Sequence, residues 1–130
     1  MYKIKPDIEV EFHFNDIRKG KVKDGYRPSH IVCDNYLTTG LHHYYYLDNL
    51  EKIMGTITFL TPDIYPKTMW IGKLIEMYEG TYFVGYAIVT KVFNTKLLGE
   101  KPLDYKIDFE KYVNDFNTKR IPRKFKRENK

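Results

Sequence analysis

Apolar and polar residues alternate along much of this chain, which is typical of β-strands that bury one face. Over residues 4–14 the apolar side chains occupy every second position, and polar side chains lie between them. This predicts a first strand whose inner face carries four apolar side chains, namely Ile8, Val10, Phe12 and Phe14.

A hairpin in the second half of the chain is the centre of the predicted fold. Glu79-Gly80 separates two arms, residues 73–78 and 81–93, that are rich in β-branched and aromatic side chains. Gly80 supplies the positive φ that tight hairpin turns require. Because the second arm is apolar on both faces, we expect other parts of the chain to cover both sides of it.

Three shorter stretches predict further strands, at residues 29–36, 41–47 and 55–60. Ile31 and Cys33 are expected on the inner face of the first of these. We interpret residues 38–40 (Thr-Thr-Gly) as the turn before the second, and the two prolines of residues 61–66 predict a loop after the third. Six short, closely spaced strands indicate an all-β fold, either a small barrel or a sandwich.

The pattern becomes helical after residue 93. Residues 94–102 contain Gly and Pro and are interpreted as a linker. Asp108 is a suitable N-cap for a short amphipathic helix, which we expect within residues 94–118, packed on the β domain of residues 1–93. Residues 119–130 are expected to be a disordered tail. The apolar face of the helix would consist of Phe109, Tyr112, Val113 and Phe116.

Composition adds limits on where the chain works. The sequence has 130 residues, of which 12 are Tyr and 8 are Phe, and such side chains pack well on sheets. Cys33 is the single cysteine, so an intrachain disulfide is excluded and nothing suggests an oxidising compartment. The first residues lack the apolar core of a signal peptide, and no apolar run is long enough to span a bilayer. We therefore expect a cytoplasmic protein with no membrane partner.

The net charge of +5 comes from the end of the chain. Residues 119–130 hold seven basic side chains and one acidic one, whereas the remaining residues hold 15 basic and 16 acidic ones. A neutral body argues against phosphate binding by the β domain itself. The tail is either an electrostatic clamp or a solubilising end, and its candidate residues are Lys119, Arg120, Arg123, Lys124, Lys126 and Arg127.

An ordered series of short motifs runs through residues 8–93. Gly-Tyr-Arg-Pro at residues 25–28 is followed by Thr39-Gly40, Thr61-Pro62, Glu79-Gly80 and, over residues 84–92, VGYAIVTKV. The series resembles the C-terminal β-barrel, domain 3, of elongation factor Tu and its relatives. Their pattern is GYRPQF, a Thr-Gly turn, a strand ending at a proline, an IREG-type arm and VGAGVVTKV. The resemblance implies a six-stranded closed antiparallel barrel.

The chain also departs from that family pattern. Ser29 stands where the family has Gln, residues 49–54 replace its MPGD segment, and Thr81 and Tyr82 replace the second Gly and the Arg after the hairpin. The sequence contains neither a phosphate-binding G-x-x-x-x-G-K-[ST] loop nor a guanine-reading Asn-Lys-x-Asp. We therefore expect no GTPase activity and no bound nucleotide from this chain by itself.

The resemblance also implies a binding surface. In the family this barrel contacts the GTPase domain, an exchange factor and the T arm of tRNA. The resemblance places the corresponding binding surface of this chain at Arg27, Ser29, Thr39, Glu79 and Gly80. An exposed residue at a strand entry and two ordinary turns are the structural alternative for these positions.

No group of side chains predicts catalysis. His42 and His43 are adjacent on a predicted strand, so they point to opposite faces and cannot both ligate one metal ion without distortion. Cys33 is expected in the core, and Glu9 and Glu11 on a solvated face. No set of nucleophile, base and orienting group stands out. We therefore predict a non-enzymatic protein without cofactor or metal.

Two binding functions follow from these features. Aromatic side chains in excess of what a small core holds predict an outer aromatic surface for a protein partner, as in an adaptor or an immunity-type protein. Its candidate residues are Tyr44, Tyr45, Tyr46 and Trp70. The alternative is a module for tRNA or other RNA that uses the positions implied by the resemblance together with the basic tail.

Overall fold

The structure, a computed structural model, describes residues 5–34, 36–48 and 52–125. Its strands are β1 (Ile8–Phe14), β2 (Ser29–Cys33), β3 (Tyr36–Asp48), β4 (Lys52–Phe59), β5 (Leu74–Glu79) and β6 (Tyr82–Val92). They pair antiparallel in the order β1-β4-β3-β2-β5-β6, and β6 pairs with β1 to close the barrel. The six-stranded closed antiparallel barrel is thus confirmed. Within the described ranges, no helix is long and apolar enough to cross a membrane.

The barrel interior holds the main apolar core. Side chains of β1 alternate between buried and half-buried positions, as the sequence pattern predicts. The loop after β4 contributes buried Tyr65 and Met69 to the same core. The buried core residues from the strands are Ile8, Val10, Phe12, Phe14, Val32, Ile53, Ile57, Phe59, Ile75, Met77, Val84, Ala87 and Val89.

The hairpin between β5 and β6 forms as predicted. Gly80 has a φ of 62° and lies in the turn. Gly85 of β6 has a φ of 144°, and a Cβ there would lie 2.1 Å from the carbonyl oxygen of His13. Glycine at this position therefore lets β6 approach β1 closely, at the end of the register in which Phe14 is opposite Gly85.

The predicted turn at residues 38–40 is wrong, because β3 begins at Tyr36 and runs through Thr39 and Gly40. A Cβ on Gly40 would lie 2.6 Å from Cγ2 of Ile57 and 2.8 Å from Cε1 of His30. The glycine therefore provides room for interior side chains and does not reverse the chain. Strand β4 also begins earlier than predicted, at Lys52.

The predicted inner face of β2 is reversed. His30 and Val32 are fully buried in the barrel, whereas Ile31 is half-buried on the outer side. Cys33 is partly buried against the interior core beyond an irregularity in the register between β2 and β3. The sequence pattern misleads here because a histidine takes an interior position that an apolar residue would be expected to fill.

The chain after β6 covers the outer faces of β2, β5 and β6, but the predicted amphipathic helix is not confirmed. Phe109–Tyr112 is one turn of 3₁₀ helix, and residues 113–118 continue as turns. Asp108 caps this turn by accepting a hydrogen bond from the backbone N–H of Glu110, as its sequence position predicts. Val113, on the predicted apolar face, is 73% exposed.

A second apolar cluster lies between this segment and the barrel. Its rings contact each other directly: Tyr112 and Phe116 both lie with ring centroids 5.6 Å from that of Phe83. These contacts cover the outer face of β6, as expected from its apolar pattern. The buried members are Tyr78, Phe83, Tyr112 and Ile121, with Ile31, Leu37, Leu74, Tyr86, Phe116 and Phe125 packed around them.

Residues 119–125, at the start of the predicted tail, are part of the folded chain. The backbone carbonyl of Lys119 accepts a hydrogen bond from the backbone N–H of Phe83, and the N–H of Ile121 donates one to Thr81. Ile121 is buried because it completes the outer cluster. Residues 126–130, which include the predicted tail residues Lys126 and Arg127, lie outside the described residues.

Candidate functional site

Glu79, one of the positions implied by the resemblance, lies at the end of β5 and is already paired. Arg18, from the loop after β1, donates two hydrogen bonds to its carboxylate, at 2.8 and 2.6 Å. The hydroxyl of Tyr26 donates a third, at 2.8 Å. The hydrogen bonds from Arg18 and Tyr26 lower the pKa of Glu79 below its usual value. The loop is therefore tied to the hairpin by a charged contact.

The strand register brings the other implied positions to the same place. Ser29 lies opposite Thr39 on one side and opposite Tyr78, next to Glu79, on the other. Arg27 is two residues before Ser29 and is exposed. Ser29, Thr39 and Glu79 are thus brought to the end of the barrel where β5 ends and β2 begins, and Arg27 lies just before β2.

The C-terminal segment reaches the same end of the barrel. The side chain of Asn15 donates to the carbonyl of Phe116 at 2.9 Å, and the side-chain oxygen of Asn117 accepts from the backbone of Asp16 at 2.8 Å. Arg120 then pairs with Tyr82 in an isolated antiparallel bridge. The guanidinium carbon of Arg120 lies 4.2 Å from the centroid of the Tyr82 ring.

We define the basic end as residues 15–28, the hairpin residues 79–82 and residues 116–123. Two of its acidic side chains are engaged, because Glu79 pairs with Arg18 and Asp24 lies 2.8 Å from the Nδ1 atom of His43. The cations of this end are contributed by two segments that are remote in sequence. Those that are exposed to solvent at this end include Lys21, Lys23, Arg27, Arg120 and Arg123.

Tyr44, Tyr45 and Trp70, the described side chains of the predicted aromatic surface, lie in different environments. Tyr44 is half-buried, packs against Phe12 and Phe14 and shares a hydrogen bond with His42. Tyr45 is 50% exposed and donates a hydrogen bond to Glu9. The backbone of residue 46 belongs to β3, but the Tyr46 side chain lies outside the described residues. Alternation along β3 explains why consecutive tyrosines face different sides.

Trp70, the fourth candidate of that surface, lies elsewhere, in the connection between β4 and β5. Its ring is half-buried and meets the ring of Tyr105 edge to face, with centroids 5.1 Å apart. The Nζ atom of Lys73 lies 4.7 Å from the Trp70 centroid. This tryptophan therefore belongs to the wall of a cleft and not to an aromatic face of β3.

Two buried histidines are the main polar groups inside the barrel. The Nε2 atoms of His30 and His42 are 2.8 Å apart, and the Nδ1 atom of His42 is 2.7 Å from the hydroxyl of Tyr44. Burial lowers the pKa of His30 to about 4, and burial and the neighbouring His30 lower the pKa of His42. Both rings are enclosed, so this network does not provide a surface for substrate.

Metal and acid–base chemistry gain little support from the geometry. Among the described residues, no group of three or more His, Cys, Asp and Glu side chains could hold a metal ion. His42 is buried in the barrel while His43 is exposed, so the two point to opposite faces, as expected from strand geometry. Glu9 and Glu11 lie on the outer face of β1, where Glu9 accepts hydrogen bonds from Tyr45 and Thr90.

Sequence reasoning missed two side chains that define the local electrostatics. Arg18 binds Glu79 across 61 positions, and no local pattern indicates such a pair. The sequence pattern places Lys73 only in a strand arm, yet its ammonium is buried and donates to the backbone carbonyls of Val32 and Thr68. A signal for Lys73 exists in the sequence, since it stands directly before an apolar strand that must enter the core.

Comparisons with protein-family models, with curated proteins and with solved structures found no match to this chain.

Proposed function

We propose that this chain is a non-enzymatic binding module whose basic end binds RNA. One observation carries the proposal: the fold brings two cationic segments, residues 18–27 and 119–123, to the same hairpin. A sequence whose body is neutral on average thereby gains a local concentration of positive charge, which phosphate binding requires. The charge distribution, and not the total charge, favours RNA over other partners at this end.

The resemblance to domain 3 of elongation factor Tu also supports RNA binding at this end of the barrel. Arg27, Thr39 and Glu79 match positions of the family's tRNA contacts. Ser29 pairs with Thr39 on one side and with Tyr78, next to Glu79, on the other. We propose that the chain shares this barrel type and works in the cytoplasm. Exposed Tyr82, stacked under Arg120, adds a ring on which an unpaired base could stack.

Salt dependence and charge removal at this end test the proposal. Binding of a tRNA mixture would be measured at low and at physiological salt for the full chain and for a variant with Lys21, Lys23 and Arg27 changed to Gln. Removing one cation that binds a phosphate reduces the slope of log affinity against log salt by about one. We expect the triple variant to bind at least roughly tenfold more weakly at low salt and to show a shallower slope.

A matched control carries three neutralised cations away from the basic end, Lys91→Gln, Lys96→Gln and Lys101→Gln, all of them exposed. Equal reductions of affinity in both triple variants would mean that net charge alone drives binding. Salt-independent affinity of the unchanged chain would exclude phosphate contacts as its source. Either result rejects the proposal.

Protein binding, in an adaptor or immunity-type role, is the second candidate, and the opposite end of the barrel favours it. There the loops after β4 and β6 expose large apolar side chains, which is typical of a partner surface when they are contiguous. The substitutions Leu60→Ser, Ile64→Ser and Ile71→Ser should abolish the capture of a protein partner that persists after RNase treatment. They should leave RNA binding unchanged. The exposed members of this apolar end are Leu60, Ile64, Ile71, Phe93 and Leu98.

A further inference from the structure

A cleft of about 650 Å³ lies between the outer faces of β2 and β5 and the chain that follows β6. Ile31 and Leu74 line it from the barrel, and Phe125 lines it from the C-terminal segment. Trp70 and Tyr105 form an aromatic wall, with their rings edge to face. The volume is within the range of clefts that hold small organic ligands, and the lining combines apolar and aromatic side chains with charged ones.

Trp70 has a hydrogen-bond donor without a partner in this wall. Its Nε1 atom is buried, and no acceptor lies within hydrogen-bond distance among the described residues. Buried polar atoms in folded proteins nearly always have a partner, so Trp70 leaves one polar group of this wall unsatisfied.

The charged groups of the cleft favour an anion. Lys73 is buried, donates to the carbonyls of Val32 and Thr68, and forms no ion pair with any described carboxylate. Burial lowers the pKa of Lys73 to about 8, against the opposing effect of the Asp34 carboxylate, so the ammonium stays protonated at neutral pH. The other basic side chains that line the cleft are Lys67, Lys106, Lys111 and Lys124.

The acidic side chains of the cleft do not cancel these cations. Glu76 is engaged, because it accepts hydrogen bonds from the hydroxyls of Tyr78 and Tyr112 and pairs with Lys111 at 3.2 Å. Asp34 and Asp108 are exposed at the rim, and Asp108 caps the backbone of Glu110. Lys73, Lys106 and Lys124 therefore leave the cleft with positive charge to offer.

We propose that this cleft binds a small organic anion that carries a planar aromatic ring, with the ring against Trp70 and Tyr105 and the anionic group facing the cleft lysines. Aromatic surfaces select the ring by stacking and edge contacts, and the lysines select a carboxylate or a phosphate. The cleft borders the basic end at Pro122, and the proposed site does not depend on RNA binding.

Trp70 is the only tryptophan of the chain, so its fluorescence reports on the cleft alone. Phenyl phosphate and benzoate would be titrated as the two anionic aromatic probes. Inorganic phosphate and acetate lack the ring, and benzamide lacks the charge. We expect a saturating change in Trp70 fluorescence with phenyl phosphate or benzoate at concentrations where the three control compounds cause none. The probe that binds more tightly tells which anionic group the cleft prefers.

Two lysine variants with a matched control test whether the site is the cleft. Lys106→Gln and Lys124→Gln each remove one exposed cation from its rim, and each should weaken probe affinity by about threefold or more. Lys96→Gln removes an exposed cation that pairs with Asp63 away from the cleft and should leave affinity unchanged. The proposal fails if no anionic aromatic probe saturates, if the ring-free anions act equally well, or if Lys96→Gln weakens binding as much as the rim variants.

Discussion

His30 and His42 face each other inside the barrel with their Nε2 atoms 2.8 Å apart, and Phe12 lies against the ring of His42 with centroids 4.5 Å apart. One of these nitrogens donates and the other accepts, and because burial lowers the pKa of both rings, both are neutral in the folded chain near neutral pH. The two polar rings thereby occupy core positions and satisfy each other at the Nε2 atoms.

Acid should therefore destabilise the fold well above the range in which carboxylates titrate. In the unfolded chain His30 takes up a proton near its ordinary pKa of 6.5, whereas burial lowers its pKa in the folded chain to about 4. The unfolded state thus binds more protons as pH falls between these values, so the free energy of unfolding decreases. His30 alone accounts for a decrease of roughly 3 kcal/mol, and His42 acts in the same direction.

Urea unfolding followed at a series of pH values between about 7 and 4 measures this decrease. His43→Gln is the control, because His43 is exposed and pairs with Asp24 at the surface, so the decrease should persist in this variant. A free energy of unfolding that stays constant over this range in the unchanged chain would contradict the buried neutral pair.

Gly85→Ala is expected to destabilise the barrel by about 3 kcal/mol or more. The added Cβ would meet the carbonyl oxygen of His13 at 2.1 Å, and the φ of 144° strains any L side chain.

Gly25→Ala separates the steric clash from the backbone strain, because Gly25 has a φ of 97° with nothing within 4 Å of the added carbon. Its cost should be smaller, about 1–2 kcal/mol from backbone strain alone. Thermal unfolding of both variants makes the comparison, and equal destabilisation would show that the close approach of β6 to β1 does not matter.

Tyr112→Phe tests whether the C-terminal segment is held on the barrel by Glu76. The Tyr112 hydroxyl donates to the Glu76 carboxylate at 2.7 Å, and a second hydroxyl comes from Tyr78. Burial by itself would raise the pKa of Glu76, but these hydrogen bonds and Lys111 lower it below 4.5. The resulting stabilisation is present above pH 4.5 and disappears as pH falls through the folded pKa.

Removing one donor should cost about 1–2 kcal/mol near neutral pH and raise the pKa of Glu76. Urea unfolding measures the first effect, and NMR titration of the Glu76 carboxyl measures the second. Val113→Ala is the control for the segment, since Val113 is largely exposed and should change neither quantity. An unchanged Glu76 pKa in Tyr112→Phe would mean that the hydroxyl does not bind the carboxylate in solution.

Strands with local alternation could be predicted from the sequence. The pattern of β1 and the hairpin around Gly80 depend on periodicity and turn chemistry within a few residues, and both are present in the structure. The turn predicted at Thr39-Gly40 is wrong because a glycine favours a turn locally, whereas here it makes room for His30 and Ile57 from other strands. That reason is non-local and leaves no local pattern.

In the candidate site, too, features with a local sequence pattern could be predicted, and those that depend on distant residues could not. Arg27 and Glu79 could be singled out from a motif series, but the hydrogen bonds of Lys119 and Ile121 to the hairpin depend on how the chain returns to it. Tyr44 and Trp70 share an aromatic character, yet strand alternation and a loop place them in different environments. Composition counts aromatic side chains but cannot tell which face each one occupies.

Glu79→Gln distinguishes two ways in which the basic end could bind RNA. The pair with Arg18 is exposed, so breaking it should cost less than about 1 kcal/mol of stability. If phosphate attraction dominates, the variant releases the Arg18 guanidinium and removes one negative charge, and RNA affinity at low salt should rise severalfold, roughly threefold or more. If the Glu79 carboxylate itself contacts RNA, as the resemblance to elongation factor Tu implies for this position, affinity should fall instead.

Arg18→Gln is the matched variant, because it breaks the same pair but removes a cation and should weaken binding in both cases. Filter binding with tRNA at two salt concentrations measures both variants, and an unchanged affinity in Glu79→Gln together with an unchanged affinity in Arg18→Gln would place the RNA surface away from this hairpin.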